Sequence, residues 1–334
     1  MLAGNNKDQP HYYGGQAVME GVMMRGVNVY SMAVRKPNGE ITTVTHPILD
    51  HTKKYPWLKW PIIRGMAAFV AALSIGMKTL TESAEIATEG EPEEGLGRFE
   101  RFLQDKFGDK MNDILMQISV VLAIAIAVLL FILLPIWIGS GLAFLTDGHQ
   151  FLRGIVEGLV RPLIFVIYVW VISRSKEIRR VFQYHGAEHM TINGYEQGAE
   201  LAVENIRSCS PLHNRCGTSF LLVVMFVSIL MSIFVQTPDP ILRIVSRLAL
   251  LPVIAGVSFE IIRWAGRSQS MWVKVISFPG LCLQRLTTGR PDDAQIEIAI
   301  TALKTVLAAE MAGADDIAGS EYLPSDLIEQ TSDS

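Results

Sequence analysis

The chain has 334 residues, half of them apolar and 19% charged, with a net charge of −4. That composition is too apolar for a disordered chain and places the protein in the membrane class. The slight acidic excess excludes a nucleic-acid partner, because neutralising phosphates needs a basic surface.

Residues 1–50 form a first unit. Met1 to Tyr13 is polar and lacks an apolar h-region, so membrane insertion is expected to use internal spans. From Gly14 to about His46 the chain is Gly-rich and then alternating, and Lys36-Pro37-Asn38-Gly39 reads as a hairpin turn with positive φ supplied by Asn-Gly. Glu20 and Arg25, amid Gly14, Gly15, Gly21 and Gly26, are candidate polar site residues held by a tight backbone.

Residues 51–112 open with Tyr55, Trp57 and Trp60 interleaved with Lys53, Lys54, Lys59 and Arg64, the composition of a headgroup belt. The apolar run that follows, Met66 to Met77, is shorter than the roughly 18–20 residues a crossing needs. It predicts an interfacial or re-entrant helix. Glu89 to Gly97 reads as an acidic linker and Arg98 to Asn112 as an amphipathic helix.

Within 113–173 two spans are expected, from Ile114 to about Trp137 and from about Leu159, or from an earlier start despite Glu157 and Arg161, to Ile172. A transmembrane hairpin over 220–265 adds Phe220 to Val235 and Ile241 to Trp264, joined by Gln236-Thr237-Pro238-Asp239-Pro240. Basic residues flank the first span on its N-terminal side and the second on its C-terminal side, so four crossings put both termini and the 174–219 loop in the cytoplasm. In 266–311, Asp292 and Gln295 form a capping start for an amphipathic helix with Ile296, Ile300, Leu303 and Leu307 on one face. The acidic tail, 312–334, is expected to be disordered. The fold class is thus an α-helical integral membrane protein, with about four transmembrane helices, one interfacial or re-entrant helix, a small N-terminal β-hairpin unit and a cytoplasmic metal-site loop.

The chemistry concentrates in His185-Gly186-Ala187-Glu188-His189, the pattern H-x-x-E-H. On a helix the two histidines lie within about 40° of one another and about 6 Å apart along the axis, which suits two ligands of one divalent ion, zinc above all. Glu188 borders the same face and is the candidate general base. The helix is expected to end at Gly194 or Gly198, and Glu196, about 10 Å along the axis from His189, cannot close the same site unless the break falls at Gly194. A third ligand is expected from Ser210 to Gly217, either His213 or Cys216, with Glu200, Glu204 and Glu20 as oxygen-ligand alternatives.

Three cysteines, Cys209, Cys216 and Cys282, form neither an even set nor a C-x-x-C pair, so no disulfide framework is expected. Cys209 and Cys282 read as packing residues. Glu260 reads as one half of an interfacial ion pair with Arg263, or else as a wall of the metal site.

Two functions fit. One is a membrane metalloprotein with hydrolase chemistry at the cytoplasmic leaflet, its partners the lipid bilayer and membrane proteins or peptides. The other is a non-catalytic scaffold or assembly factor whose histidine cluster is a structural metal knot or a polar layer under the spans. No internal repeat is evident, which argues against a transporter.

Four strings, Gly14 to Gly26, Phe182 to His189, Arg215 to Phe220 and Pro291-Asp292-Asp293, together resemble the YqhQ family of bacterial membrane proteins, from Gly14 to about Leu307. The resemblance implies a metal-dependent enzyme built on the same histidines and cysteine, and it names no reaction. Where the family pattern carries lysine after the second histidine this chain has Met190, so no catalytic cation is expected there.

Overall fold

The computed structural model describes residues 13–49, 54–90, 111–142, 149–213, 216–234, 239–265 and 271–312. The expected amphipathic helix over Arg98 to Asn112 and nearly all of the acidic linker fall outside them, as do most of the spans' hairpin turn and nearly all of the tail.

The N-terminal unit is larger than a hairpin. Strands β1 (Gly14–Val18), β2 (Gly21–Arg25), β3 (Val29–Arg35) and β4 (Ile41–Pro47) form one antiparallel sheet in sequential order. At the β3–β4 turn only Gly39 has positive φ, at 90°. Gly39 N–H donates to Lys36 O and Lys36 N–H to Glu40 O, so the loop has three residues, and Asn38 keeps negative φ.

Helices follow in chain order. They are α1 (Ile63–Ala87), α2 (Met111–Val128), which continues through a π turn into α3 (Leu134–Gly141), and α4 (Gln150–Ile172). Next come α5 (Lys176–Glu196), the short α6 (Val203–Ile206), α7 (Gly217–Phe234), α8 (Pro240–Ala265), α9 (Met271–Thr287) and α10 (Asp293–Ala312).

The sheet is covered on both faces, because pleating sends alternate side chains to opposite sides. Val22, Met24 and Ala33 pack against Tyr184, Ala187 and Ile192 of α5 and against Ile298, Ala302, Leu303 and Val306 of α10. Val18, Met23, Tyr30, Met32 and Val34 pack on the other face with Ala87, Ile75 and Ile86 of α1. Helix α10 starts with the predicted capping box, Asp292 N–H to Gln295 Oε1 at 3.0 Å and Gln295 N–H to Asp292 Oδ1 at 2.8 Å. It is buried more widely than one amphipathic face, since Ile296 and Ile300 also meet Met190 and Ile206.

Among the described residues three helices are by themselves long and apolar enough to cross a membrane, Ile63–Ala87, Gln117–Gly141 and Ile244–Trp264. The other two expected spans lie in α4, Gln150–Ile172, and α7, Gly217–Phe234, which at 23 and 18 residues rise about 34 and 27 Å against a hydrocarbon core of about 30 Å. With α4 and α5 taken together as one broken span, the described residues allow up to four crossings.

Helix α1 also departs from the short segment expected. It is one continuous helix, yet its second half is tied to the sheet through buried Thr79, Ser83 and Ala87. Met19 N–H donates to Ser83 Oγ at 3.1 Å, and Glu82 pairs with His46 of β4 at 2.9 Å. Its first half meets α8 by glycines. A Cβ on Gly65 would lie 2.9 Å from Gly256 Cα, and one on Gly256 would lie 2.5 Å from Ile62 Cγ2. Glu260, whose expected partner was Arg263, is held there by Arg64 through both carboxylate oxygens. The geometry makes it an ion pair and not a site wall.

The chain divides into two compact units, one of Met1–Glu89, Val169–Val223 and Ala255–Ser334, the other of Gly90–Tyr168 and Val224–Ile254. The second is helical. Inside it Phe131 packs against Phe165 and Tyr168, Gly158 admits Ile229, and Arg161 donates to Ser228 Oγ at 3.0 Å.

Leu303 is fully buried between α10 and the sheet, whereas Met311 is 70% exposed. Leu303→Ala is expected to cost about 2–5 kcal/mol, seen as a lower thermal midpoint in detergent, and Met311→Ala less than about 0.5 kcal/mol.

Candidate metal centre

Helix α5 runs unbroken from Lys176 to Glu196 and ends at Gly198, whose φ is +74°. Gly194 is therefore not a breaker. It lies inside the helix, where a Cβ would meet Ile206 Cδ1 at 2.2 Å, so it marks a close approach of α6. The unbroken helix sets His185, Glu188 and His189 on one stripe, with the two imidazole centroids 4.4 Å apart.

Each imidazole is oriented by a main-chain carbonyl from a different segment. His185 Nδ1 lies 2.8 Å from Thr287 O at the end of α9, and His189 Nδ1 lies 2.7 Å from Pro211 O in the loop before α7. A carbonyl can only accept, so in the neutral rings both Nδ1 atoms carry the hydrogen and both Nε2 atoms present lone pairs. This is how proteins hold histidines that ligate metals.

Of the two residues expected to join the histidine pair, the structure brings in Cys216 and not His213. The ligand atoms of His185, His189 and Cys216 all lie within 4.8 Å of one another, and His185 Nε2 to Cys216 Sγ is 3.2 Å. A tetrahedral zinc site needs ligand atoms about 3.4–3.6 Å apart, so modest side-chain adjustment completes the set. His189 Nε2 is buried with no hydrogen-bond partner among the described residues. A bare, buried imidazole nitrogen normally carries a desolvation cost, and a bound cation removes it. The donor set therefore fits a zinc-like ion.

His213 stands one layer out. Its ring lies 5.8 Å from that of His189, and its Nε2 is 3.5 Å from Glu196 Oε2, so Glu196 meets the outer histidine and not the ligand group. Its backbone is clamped by buried Gln284, which accepts from His213 N–H at 3.0 Å and donates to His213 O at 2.9 Å.

Glu188 Oε2 lies 3.9 Å from His185 Nε2 and 3.7 Å from His189 Nε2. Burial pushes its pKa up to about 7, opposed by electrostatic attraction to His185 and by the Gly15 N–H. The sheet thus reaches the site directly. A Cβ on Gly15 would lie 2.7 Å from Glu188 Cγ, so only glycine fits beneath the carboxylate.

Of the other expected site residues, Glu20 acts one turn earlier. With φ of +50° in the β1–β2 turn, it grips Arg180 through both carboxylate oxygens and accepts from Tyr184 Oη at 3.2 Å. Arg25 faces the opposite side of the sheet from α5, by strand alternation from Met24. Glu200 and Glu204 do not join the ligand group.

Gly186, inside the motif, escaped notice as a packing determinant. A Cβ there would lie 2.0 Å from Gly289 O, and Gly289 N–H donates to Phe182 O at 2.7 Å. Gly186 therefore lets the turn after α9 sit on α5 and bring Thr287 O to His185. The available signal was the glycine itself, which costs about 1 kcal/mol in a helix interior unless something packs on it.

Gly186→Ala is expected to displace that turn and weaken metal affinity about 10–100-fold by competition titration. Gly194→Ala, which collides with a side-chain tip, is expected to lower the thermal midpoint while leaving affinity near wild type. A second expectation concerns pH. The folded pKa of Glu188 is raised, so the metal-free folded state holds more protons than the unfolded chain between about 4.5 and about 7. Its contribution to stability falls as pH rises through that window. Glu188→Gln should flatten the metal-free thermal midpoint across it.

No solved structure matches the chain. The "Uncharacterized protein YqhQ" of Bacillus subtilis (strain 168) is 35% identical over 305 residues, covering 90% of this chain and 94% of that protein. Residues 60–309, which include His185, Glu188, His189 and Cys216, match the family described as "Protein of unknown function (DUF1385)". With both likenesses spanning most of its length, the chain belongs to this family, that of YqhQ.

Proposed function

We propose that this protein is a multi-pass metalloprotein of the bacterial plasma membrane, a zinc-dependent hydrolase whose site lies at the cytoplasmic face. The observation that carries the reading is the orphaned, buried Nε2 of His189, beside His185 and Cys216, with both rings locked by carbonyls. Three apolar helices and the exposed Tyr55, Trp57 and Trp60 support the membrane location.

His185, His189 and Cys216 would hold the ion. When bound, zinc supplies a Lewis acid that acidifies water and polarises a substrate carbonyl. Glu188, beside both ligand nitrogens, takes the proton from water as the oxygen attacks the carbonyl carbon. It then returns the proton to the leaving group as the carbonyl's bond to that group breaks. Its hydrogen bond from Gly15 holds the carboxylate in place between these steps. An amide or peptide bond is the favoured target, by chemistry shared with other H-x-x-E-H sites.

The near-complete burial of His189 and Glu188 favours a second reading, a structural metal knot fastening the Cys216 segment to α5. Metal analysis separates both from a metal-free polar layer. About one zinc per chain in wild type and a loss of at least about tenfold in affinity for His185→Ala/His189→Ala are expected. Equal, negligible metal in both would overturn the reading. Glu188→Gln should keep the metal and lose hydrolysis, whereas unchanged activity or cellular phenotype would point to the knot.

A further inference from the structure

Strand β1 is an edge of the sheet. Which of its backbone groups face outward follows from bonds on the other side of β2. Gly26 N–H donates to Val29 O at 2.8 Å and Arg35 N–H to Glu20 O at 2.9 Å. With the β2–β3 register, these make Val22 and Met24 the residues that bond toward β3, and Gly21, Met23 and Arg25 those that bond toward β1. Their β1 partners Val18, Gln16 and Gly14 turn inward, so Gly15 and Ala17 turn N–H and C=O outward. The Gly15 N–H bond to Glu188 agrees with that parity.

Among the described residues this edge lacks the usual protections. Its sequence, Gly-Gly-Gln-Ala-Val, has no charge and no proline, and its register with β2 is uninterrupted by a bulge. The opposite edge, β4, ends in Pro47 and carries the His46–Glu82 pair. Gly14 and Gly15 are exposed and present no side chain. An open, unguarded strand end is a hazard unless it is used, and here it ends at Glu188.

We propose that β1 is the substrate strand of this site, pairing edge to edge with an extended polypeptide backbone. Outward N–H and C=O groups along a strand are matched by another backbone about 4.7–4.9 Å away, which selects a polypeptide over a lipid or sugar. Ala17 supplies a donor and an acceptor, and Gly15 C=O a further acceptor. The Glu188 carboxylate lies against Gly15, its Oε1 2.9 Å from where a Cβ would stand, so the polypeptide bond opposite Gly15 comes to rest beside the carboxylate. The substrate assignment, though not the binding itself, rests on the hydrolase reading above.

The test uses full-length protein in detergent, stripped of metal to prevent turnover, and the fluorescence anisotropy of fluorescein-labelled carboxymethylated casein, an unfolded polypeptide. Ala17→Pro deletes the outward N–H without touching a β1–β2 bond, and should weaken binding about tenfold or more. Ala17→Val keeps the N–H and should stay within about twofold. Independently, casein should slow hydrogen exchange at the Ala17 amide of wild type. Failure of wild type to bind, equal binding by Ala17→Pro, or unchanged exchange at Ala17 overturns the proposal. So does an Ala17→Pro-sensitive dimer that ignores casein, which assigns the edge to a second copy. Zinc stoichiometry on the same reloaded preparations tests the metal reading separately. Zinc bound but casein binding indifferent to Ala17 defeats the strand site alone, and Ala17-dependent binding without zinc supports the strand site and defeats the hydrolase.

Discussion

Two hydrogen bonds from imidazole Nδ1 atoms to main-chain carbonyls organise this molecule's chemistry. Thr287 O and Pro211 O belong to segments about 100 and 20 residues away from the histidines they hold. Fixing both rings from behind turns both Nε2 lone pairs to the same side, His185 Nε2 toward Cys216 Sγ and His189 Nε2 buried with no hydrogen-bond partner among the described residues. A side-chain acceptor could rotate away. A backbone carbonyl moves only if its segment moves, so ligand geometry depends on how the turn after α9 and the loop before α7 pack on α5.

That packing is bought with glycine. Gly186 against Gly289 brings the α9 turn onto the helix, Gly194 admits Ile206, and Gly15 lets a strand pass under Glu188. Each removes a Cβ where a close approach is needed, and each spends backbone entropy to do so. The opposing support is apolar. The sheet is sandwiched between α1 and the pair α5 and α10, so the helix carrying the ligands rests on a fully buried layer that includes Tyr184, Ala187 and Ile192. Glu20, in a left-handed turn and paired with Arg180, pins the first turns of the same helix to the sheet.

The site combines a buried carboxylate, a raised proton affinity and two imidazole nitrogens and one sulfur set close enough to hold an ion. Such a carboxylate is costly to ionise in the metal-free protein and much less so beside a cation. Glu188 and the ligand group therefore belong together electrostatically, and the Gly15 N–H extends that coupling to the sheet edge.

What the sequence determined by itself was local. The spacing of His185, Glu188 and His189 fixes one helix stripe, because 3.6 residues per turn leaves no other arrangement. Asp292 and Gln295 fix a capping box, and Glu196 is excluded from the ligand group by helical rise alone. Long apolar runs around residues 117–141 and 244–264 mark helices long enough to cross a bilayer. What tertiary structure decided was everything that joins distant segments. Cys216 over His213, Arg64 over Arg263 as the partner of Glu260, and four strands over a hairpin all depend on where a loop or helix end is set down. Residue spacing carries no such information once the separation exceeds a few turns, since any of several side chains of the right type can reach. Close approach chooses among them, and the glycines that permit it become legible only when the atoms opposite their missing Cβ are known.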